Sequence, residues 1–229
     1  ELLITNDAGN DQNPQLVVAT ELGSYGKLEV RDAGSVINII QNGARFLAPS
    51  GDVFGGAEAI LGKIGYANVD IGNSGAINIL GDSALLSVGE GGYDGMGAPI
   101  ISPYRSDLRI TSGADVLVDS QSYGFDSTAS DYSEGSYAAV GRFVGGYGRI
   151  RVDGSGSTLT VTSASDFAGD YRTGALVVGG LGRGFLEVSV SGEVDARSLQ
   201  VGTQSYYDDG LGGGRIFGGY LPNVTAAGS

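Results

Sequence analysis

A chain of 229 residues can bury a substantial core as one large domain or two small ones; its 42 Gly with 5 Pro and no Gly-X-Y period exclude collagen, and its 41% hydrophobic content excludes a disordered chain. With no Cys and no His, disulfides, thiolate metal sites, the commonest zinc ligand and the commonest general base are excluded, leaving carboxylates, Tyr, Arg and two Lys for acid–base work. The net charge of −13 repels nucleic-acid phosphates and anionic lipid, suits divalent cations and keeps a long β surface soluble, and no apolar run is long enough to span a membrane.

The chain opens without the charged-then-apolar pattern of a signal peptide, so residues 1–5 read as a mature start or a fragment boundary. Leu2, Leu3, Ile4 and Thr5 form a short apolar strand, set apart from the first good repeat by a polar loop. It reads either as an assembly strand that adds to a neighbouring subunit's sheet or as the first rung of a monomer. In the loop, Asp7, Asn10 and Asp11 surround Gly9 with hard oxygen ligands of the kind calcium needs, without EF-hand spacing. Asp208 and Asp209 before Gly210, and the Asp126, Asp131 and Glu134 group, are the other calcium candidates. Asp outnumbers Glu 18 to 8, which suits short metal ligands and equally suits turns that Asp caps by bonding its own backbone.

From residue 16 onward one unit recurs: a short apolar run ending in Val-Gly or its like, a Gly-rich turn, an alternating strand, a polar corner and a further small strand. Copies occupy residues 16–36, 59–77, 138–158 and 176–194. Interrupted copies begin at 86–89 and resume at 107–110, and begin at 199–202 and resume near 215–216. First- and second-strand positions lie 10, 8, 10 and 8 residues apart in the uninterrupted copies (Val18/Leu28, Leu61/Val69, Val140/Ile150, Val178/Leu186). Changes by two keep side chains on the same face of a strand, as its period requires. From second strand to corner, Val30/Val36, Ile71/Ile77, Ile110/Val116, Val152/Thr158 and Val188/Val194 are each read as six apart. Anchors Val18, Leu61, Val88, Val140, Val178 and Val201 are separated by 43, 27, 52, 38 and 23 residues. The short spacings suggest one coil and 43 suggests two, with INIIQNGARFLA (37–48) as the rung between. Within strands such as 27–31, 149–153 and 186–190 apolar residues alternate inward, leaving Glu29, Arg151 and Glu187 on an outward, solvated stripe.

Three segments break the period: 90–106, 120–136 and 205–214, all rich in Gly, Ser, Tyr and Asp. Insertions in a solenoid emerge as side loops. Tyr93, Asp94, Tyr104, Tyr123, Tyr132, Tyr206 and Tyr207 are therefore candidate binding-loop residues, Tyr giving large contact area at low entropic cost. The other reading is that these rings cover the exposed edges of rungs.

The pattern L-x-V-G-x-x-G-x-G-x-L-x-V-x-x-x-G-x-V, seen as LVVGGLGRGFLEVSVSGEV at 176–194, resembles the autotransporter-associated β-helix repeats of large bacterial surface and secreted proteins, over about 16–217. The resemblance implies a right-handed solenoid, export, and use as an adhesin or extracellular scaffold. No translocator barrel or sorting anchor follows in these residues, which leaves a fragment or a mature exported protein as the alternatives.

The expected fold is thus all-β: a right-handed parallel β-helix (β-solenoid) with coils of roughly 20–27 residues and Tyr/Asp/Gly-rich insertions. Residues 1–15 are an N-terminal strand and polar loop, 16–217 the repeat domain and 218–229 a C-terminal tail. The expected function is a non-catalytic extracellular or cell-surface bacterial protein that forms or decorates a filament or matrix by end-to-end stacking. Expected partners are further copies of itself, surface glycans or cell-surface receptors; nucleic acid and membrane insertion are not expected, and calcium is the cofactor its loops suit. The alternative is a polysaccharide lyase or glycoside hydrolase, for which Asp70, Asp107, Asp115, Asp119 and Asp153 lie near strands and could pair across rungs. No cluster of carboxylates with Arg or Lys is recognisable at matched rung positions, which argues against that alternative. Gly-rich 179–184 lacks the helix a dinucleotide loop requires, and Asn223-Val224-Thr225 is a formal glycosylation acceptor of little meaning in a chain of bacterial look.

Overall fold

The computed structural model describes residues 1–6, 13–41, 46–47, 53–54, 56–81, 84–94, 96–120, 136–163, 174–202, 206–207, 215–216 and 223–226. Among them there is no helix. Strand β1 (Leu2–Thr5) is followed by β2 (Gln15–Val18), β3 (Tyr25–Arg31) and β4 (Val36–Ile40), and by a short antiparallel pair, β5 (Phe46–Leu47) and β6 (Val53–Phe54). Three-strand coils then succeed one another: β7 (Glu58–Leu61), β8 (Tyr66–Gly72) and β9 (Ala76–Leu80); β10 (Leu85–Val88), β11 (Ser106–Thr111) and β12 (Asp115–Ser120). Next come β13 (Tyr137–Val140), β14 (Tyr147–Asp153) and β15 (Thr158–Ser163), then β16 (Ala175–Val178), β17 (Arg183–Ser189) and β18 (Glu193–Ala196). The chain ends on β19 (Ser198–Val201), an antiparallel pair β20 (Tyr206–Tyr207) and β21 (Arg215–Ile216), and β22 (Asn223–Ala226).

Corresponding strands of successive coils pair in parallel, giving three six-stranded sheets: A (β1-β4-β9-β12-β15-β18), B (β2-β7-β10-β13-β16-β19) and C (β3-β8-β11-β14-β17-β22). This is a β-solenoid. Parallel sheets need both ends of each strand connected over the top, and here the next face of the coil makes that connection in place of a helix.

The core follows from alternation. In sheet C, Leu28, Val69, Leu108, Ile150 and Leu186 fall in one inward column and Val30, Ile71, Ile110, Val152 and Val188 in another. Sheet A supplies Ile39, Ile79, Val118 and Val161, and sheet B Val18, Leu61, Val88, Val140 and Val178. Ile39, Ile71, Ile79, Ile110 and Ile150 are 0% exposed. Burying such a side chain is worth about 2–3 kcal/mol, so the stacked columns dominate stability.

The Val-Gly step that marks each repeat has a backbone cause. The residue after every sheet B strand is left-handed: Ala19 (φ 60°), then Gly62 (77°), Gly89 (64°), Gly141 (67°), Gly179 (67°) and Gly202 (64°). The N–H of each of the five glycines donates to the coil before, as Gly141 does to Val88 O at 2.9 Å and Gly179 to Val140 O at 2.8 Å. A Cβ on Gly141 would also run into the carbonyl of Arg183. Glycine is demanded there by both dihedral and space.

The first-to-second strand spacing holds in all four copies, with Val18, Leu61, Val140 and Val178 in one column and Leu28, Val69, Ile150 and Leu186 in another. Three expectations are corrected. Val18 and Leu61 belong to adjacent strands, so 43 residues make one coil, and Val36–Ile40 is the third side of that coil and not an extra rung. Insertions lie at corners, where extra length costs only slowly rising closure entropy and leaves strand register untouched. Second, the corner after sheet C has two lengths. Ile71, Ile110 and Val188 lead to Ile77, Val116 and Val194, but the aligned partners after Val30 and Val152 are Ile37 and Leu159, one residue later than Val36 and Thr158. Short corners use two adjacent left-handed residues (Asn73 and Ser74, Ser112 and Gly113, Val190 and Ser191); long ones space them by one (Asp32 and Gly34, Gly154 and Gly156). Third, sheet C closes on β22, which pairs with β17, while 215–216 pairs antiparallel with β20.

Candidate functional site

The outer face of sheet C carries the densest chemistry among the described residues. Because strands alternate, every second residue of β3, β8, β11, β14 and β17 points outward, and register lines these residues up across coils. Tyr25 faces Tyr66 and Tyr147 faces Arg183. Lys27, Asn68, Asp107, Arg149 and Phe185 form the next column, and Glu29, Asp70, Arg109, Arg151 and Glu187 the third. In the fourth, Arg31 faces Gly72 and Thr111 faces Asp153, which faces Ser189.

Aromatic rings line the edge where strands enter the sheet. Tyr25 and Tyr66 stack with centroids 5.0 Å apart and planes at 29°, and Tyr104 reaches in from the 89–105 connection to lie 6.3 Å from Tyr66. Tyr147 and Phe185 follow at 5.8 Å, with the Arg105 guanidinium 6.0 Å above the Tyr147 ring. Such stacking and cation–π contacts add stability beyond area burial and hold the rings in place.

Charges pair along and across rungs. Asp107 accepts from Arg105 Nε at 2.9 Å and, with both oxygens, from Arg149 Nε at 2.9 Å and Nη2 at 3.2 Å. Arg149 also lies 3.5 Å from Glu187. This fork geometry is the strong form of an Arg–carboxylate contact, and here it is half sheltered. Burial works against the charge on Arg105, but Asp107 and Tyr147 together outweigh it and raise the guanidinium above its usual value. Arg109 sits 3.4 Å from Asp70; Asp153 accepts from Arg151 at 3.0 Å and from Ser189 Oγ at 2.6 Å. Lys27 and Arg31 both hold Glu29, at 3.0 and 2.9 Å. Lys27 bonding to Glu29 lowers the Glu29 carboxyl and in turn raises the Lys27 ammonium. Asn68 Oδ1 is buried on this face without a hydrogen-bond donor. Beside it a shallow groove of about 300 Å³ opens over Gly72, lined by Arg31, Asp70, Asn73, Arg109, Thr111 and Ser112.

Carboxylates and cations therefore do meet at matched rung positions, contrary to the sequence expectation. Asp70 lies beside Arg109 and Asp107 beside Arg149, partners 39 and 42 residues apart that no local pattern joins. Of the other aspartates weighed, Asp115 accepts from Thr158 Oγ1 at 2.7 Å, and burial raises the Asp119 carboxyl. The structure brings Tyr104 into the aromatic row but leaves Tyr93 elsewhere, in an isolated bridge with Pro99. Asp94 Oδ1 accepts the N–H groups of Met96 and Ala98, so it closes its own turn. Leu2–Thr5 pairs in parallel with β4, with Leu2 and Leu3 half exposed. Asp7, Asn10, Asp11, Tyr123, Tyr132, Asp208 and Asp209 lie outside the described residues, as do the side chains of Tyr206 and Tyr207. Among described residues no three acidic groups are placed to share a metal ion.

Tyr25, Tyr66 and Tyr147 escaped the sequence reading. A signal was present: each stands three residues before the first large inward residue of its sheet C strand, at Leu28, Val69 and Ile150, and directly before a small inward one, Gly26, Ala67 or Gly148.

Away from this face, Glu90 is 5% exposed, its Oε2 without a hydrogen bond and 3.8 Å from Arg142. Burial pushes its carboxyl up, against the pull of Arg142. On sheet A, Asn78 donates to Asn38 Oδ1 at 2.8 Å and Asn38 to Glu1 at 2.8 Å, a short amide ladder.

No protein-family model matches this chain, and neither a curated protein nor a solved structure matches it.

Proposed function

We propose that the chain is a non-catalytic structural and adhesive solenoid of a bacterial surface or secreted matrix, of the autotransporter-associated β-helix kind, with sheet C as its contact face. The observation that carries this reading is the state of the sheet C carboxylates: Glu29, Asp70, Asp107 and Asp153 are each held by a lysine or arginine. Paired carboxylates and aligned rings make a rigid, patterned surface, suited to holding a ligand in register. Acid–base catalysis instead needs one carboxyl kept protonated or one left free to take a proton. End-to-end stacking fits the same reading. The outer edges of β1, β2 and β3 are open among the described strands, Leu2 and Leu3 are exposed at that end, and Leu199 and Val201 at the other. Open edges with apolar side chains are templates for a further strand. Because β1 is engaged with β4, stacking edge on edge supplies such contacts without strand donation.

One feature favours a polysaccharide lyase or hydrolase as the second reading: the groove over Gly72 sets Asp70 beside Arg31 and Arg109, an acid with cations at an opening. Incubation with acidic and neutral polysaccharides, followed by assay of new reducing ends and unsaturated products, separates the two. The expected result is no cleavage, together with filaments in negative-stain images. Images with calcium and with EDTA test whether metal in the acidic loops promotes assembly. Release of products by wild-type protein but not by Asp70→Asn would replace the adhesive reading with the enzymatic one.

A further inference from the structure

We propose that the outer face of sheet C binds an anionic polysaccharide, laid from the Tyr25–Tyr66–Tyr104 row to the groove over Gly72, where Arg31 and Arg109 receive a carboxylate or sulfate group. The proposal rests on the adhesive reading above and names its ligand class.

Charge is segregated on this molecule. Among the described residues, sheet C's outer face holds seven of the chain's 13 Lys and Arg against five of its 26 carboxylates. A locally cationic face on a protein of net charge −13 draws a polyanion to itself against the repulsion of the chain's overall charge, which favours landing there. The two arginines of the groove are paired, with Glu29 and Asp70, yet stay open to solvent on the ligand side. Their side chains are 54% and 41% exposed, and their ties to Glu29 and Asp70 are surface pairs of little net worth. A guanidinium fork matches a planar carboxylate or a sulfate. Gly72 keeps the floor open: a Cβ there would already touch Thr111 Oγ1 at 3.2 Å.

The aromatic row supplies the second half of the site. Tyr25 and Tyr104 are each 58% exposed on either side of Tyr66. Stacked rings leave broad apolar faces in water beside hydroxyls, the surface on which the C–H face of a sugar packs. Tyr66 and Gly72 are six residues apart on one strand, about 20 Å, so the site accommodates a chain of sugars and not a single one. An acidic peptide would match the charge but not the rings.

Affinity electrophoresis of the full chain through polygalacturonate, dextran sulfate, neutral dextran and polyglutamate tests this. Retardation by at least one acidic polysaccharide, and not by dextran, is expected, with carboxylate and sulfate sources told apart by which gel retards. Arg31→Gln/Arg109→Gln and Tyr25→Ala/Tyr104→Ala should each weaken binding about tenfold, the loss of one or two charge-assisted or stacking contacts. Lys63→Gln, which removes one charge away from this face, should change it less than about twofold. If a double variant fails to fold, Arg31→Gln alone keeps the test. The proposal is overturned if neither acidic polysaccharide binds, if dextran or polyglutamate binds as tightly, or if the variants bind as wild type does. Absence of binding with filaments intact would remove this ligand and leave the adhesive scaffold; cleavage of a bound polysaccharide would remove the scaffold reading and leave the ligand.

Discussion

Single residues in this solenoid carry much of the backbone work. Gly141 must be left-handed and has no room for a side chain beside the Arg183 carbonyl. Gly141→Ala should therefore cost about 2 kcal/mol or more, read from urea unfolding. Val190 is the opposite case: β-branched, at φ 49°, and 63% exposed. Val190→Gly relieves the left-handed strain and should stabilise by about 1 kcal/mol in the same assay. Glu90 shows how burial can outweigh a neighbouring cation in setting a pH response. Its carboxyl is raised in the folded chain, so between the unfolded and folded values the folded state binds more protons, and stability falls as pH rises through that window. Glu90→Gln should be more stable than wild type at pH 7, with the advantage gone below about pH 4.

Elements divide into those that hold the solenoid and those that face outward from it. Within sheet C, Arg149 joins β14 to β11 through Asp107 and to β17 through Glu187, with its side chain 17% and that of Asp107 8% exposed. Removing one partner of a sheltered pair strands the other, so Arg149→Ala should cost about 2 kcal/mol. Arg109 joins β11 to β8 in the same way, but at 41% exposure, and Arg109→Gln should stay within about 0.5 kcal/mol of wild type. Equal losses at both positions would contradict the division between a structural rung pair and a ligand-facing one. The corners after sheet C are uniformly short, three or four residues each, while connections at the other two corners vary, with one residue between β18 and β19 and 17 between β10 and β11.

At the scale of the whole molecule, each coil contacts only its neighbours, so stability is a sum of rung and interface terms and opening begins at the ends. Amide hydrogen exchange should be slowest in β8, β11 and β14 and fastest in β1 and β19. Uniform protection across all coils would show instead that the stack unfolds as one unit. The overall charge also shapes binding: a polyanion held on one cationic face of a protein of pI about 4.2 should dissociate steeply as salt rises.

The sequence by itself determined the solenoid, because inward columns require side chains at even spacing and Val18/Leu28 or Val178/Leu186 keep that spacing through Gly-rich turns of different length. It also determined the left-handed step, since Gly recurs after nearly every sheet B strand. It left coil length open: an insertion at a corner and an extra rung both lengthen the interval from Val18 to Leu61, and only strand pairing tells them apart. It left the corner register open by one residue at Ile37 and Leu159 for the same reason. The sheet C surface was decided by tertiary structure alone. Tyr25 meets Tyr66, and Asp107 meets Arg149, across some 40 residues of chain, because parallel pairing of coils, and not proximity in sequence, chooses the neighbour.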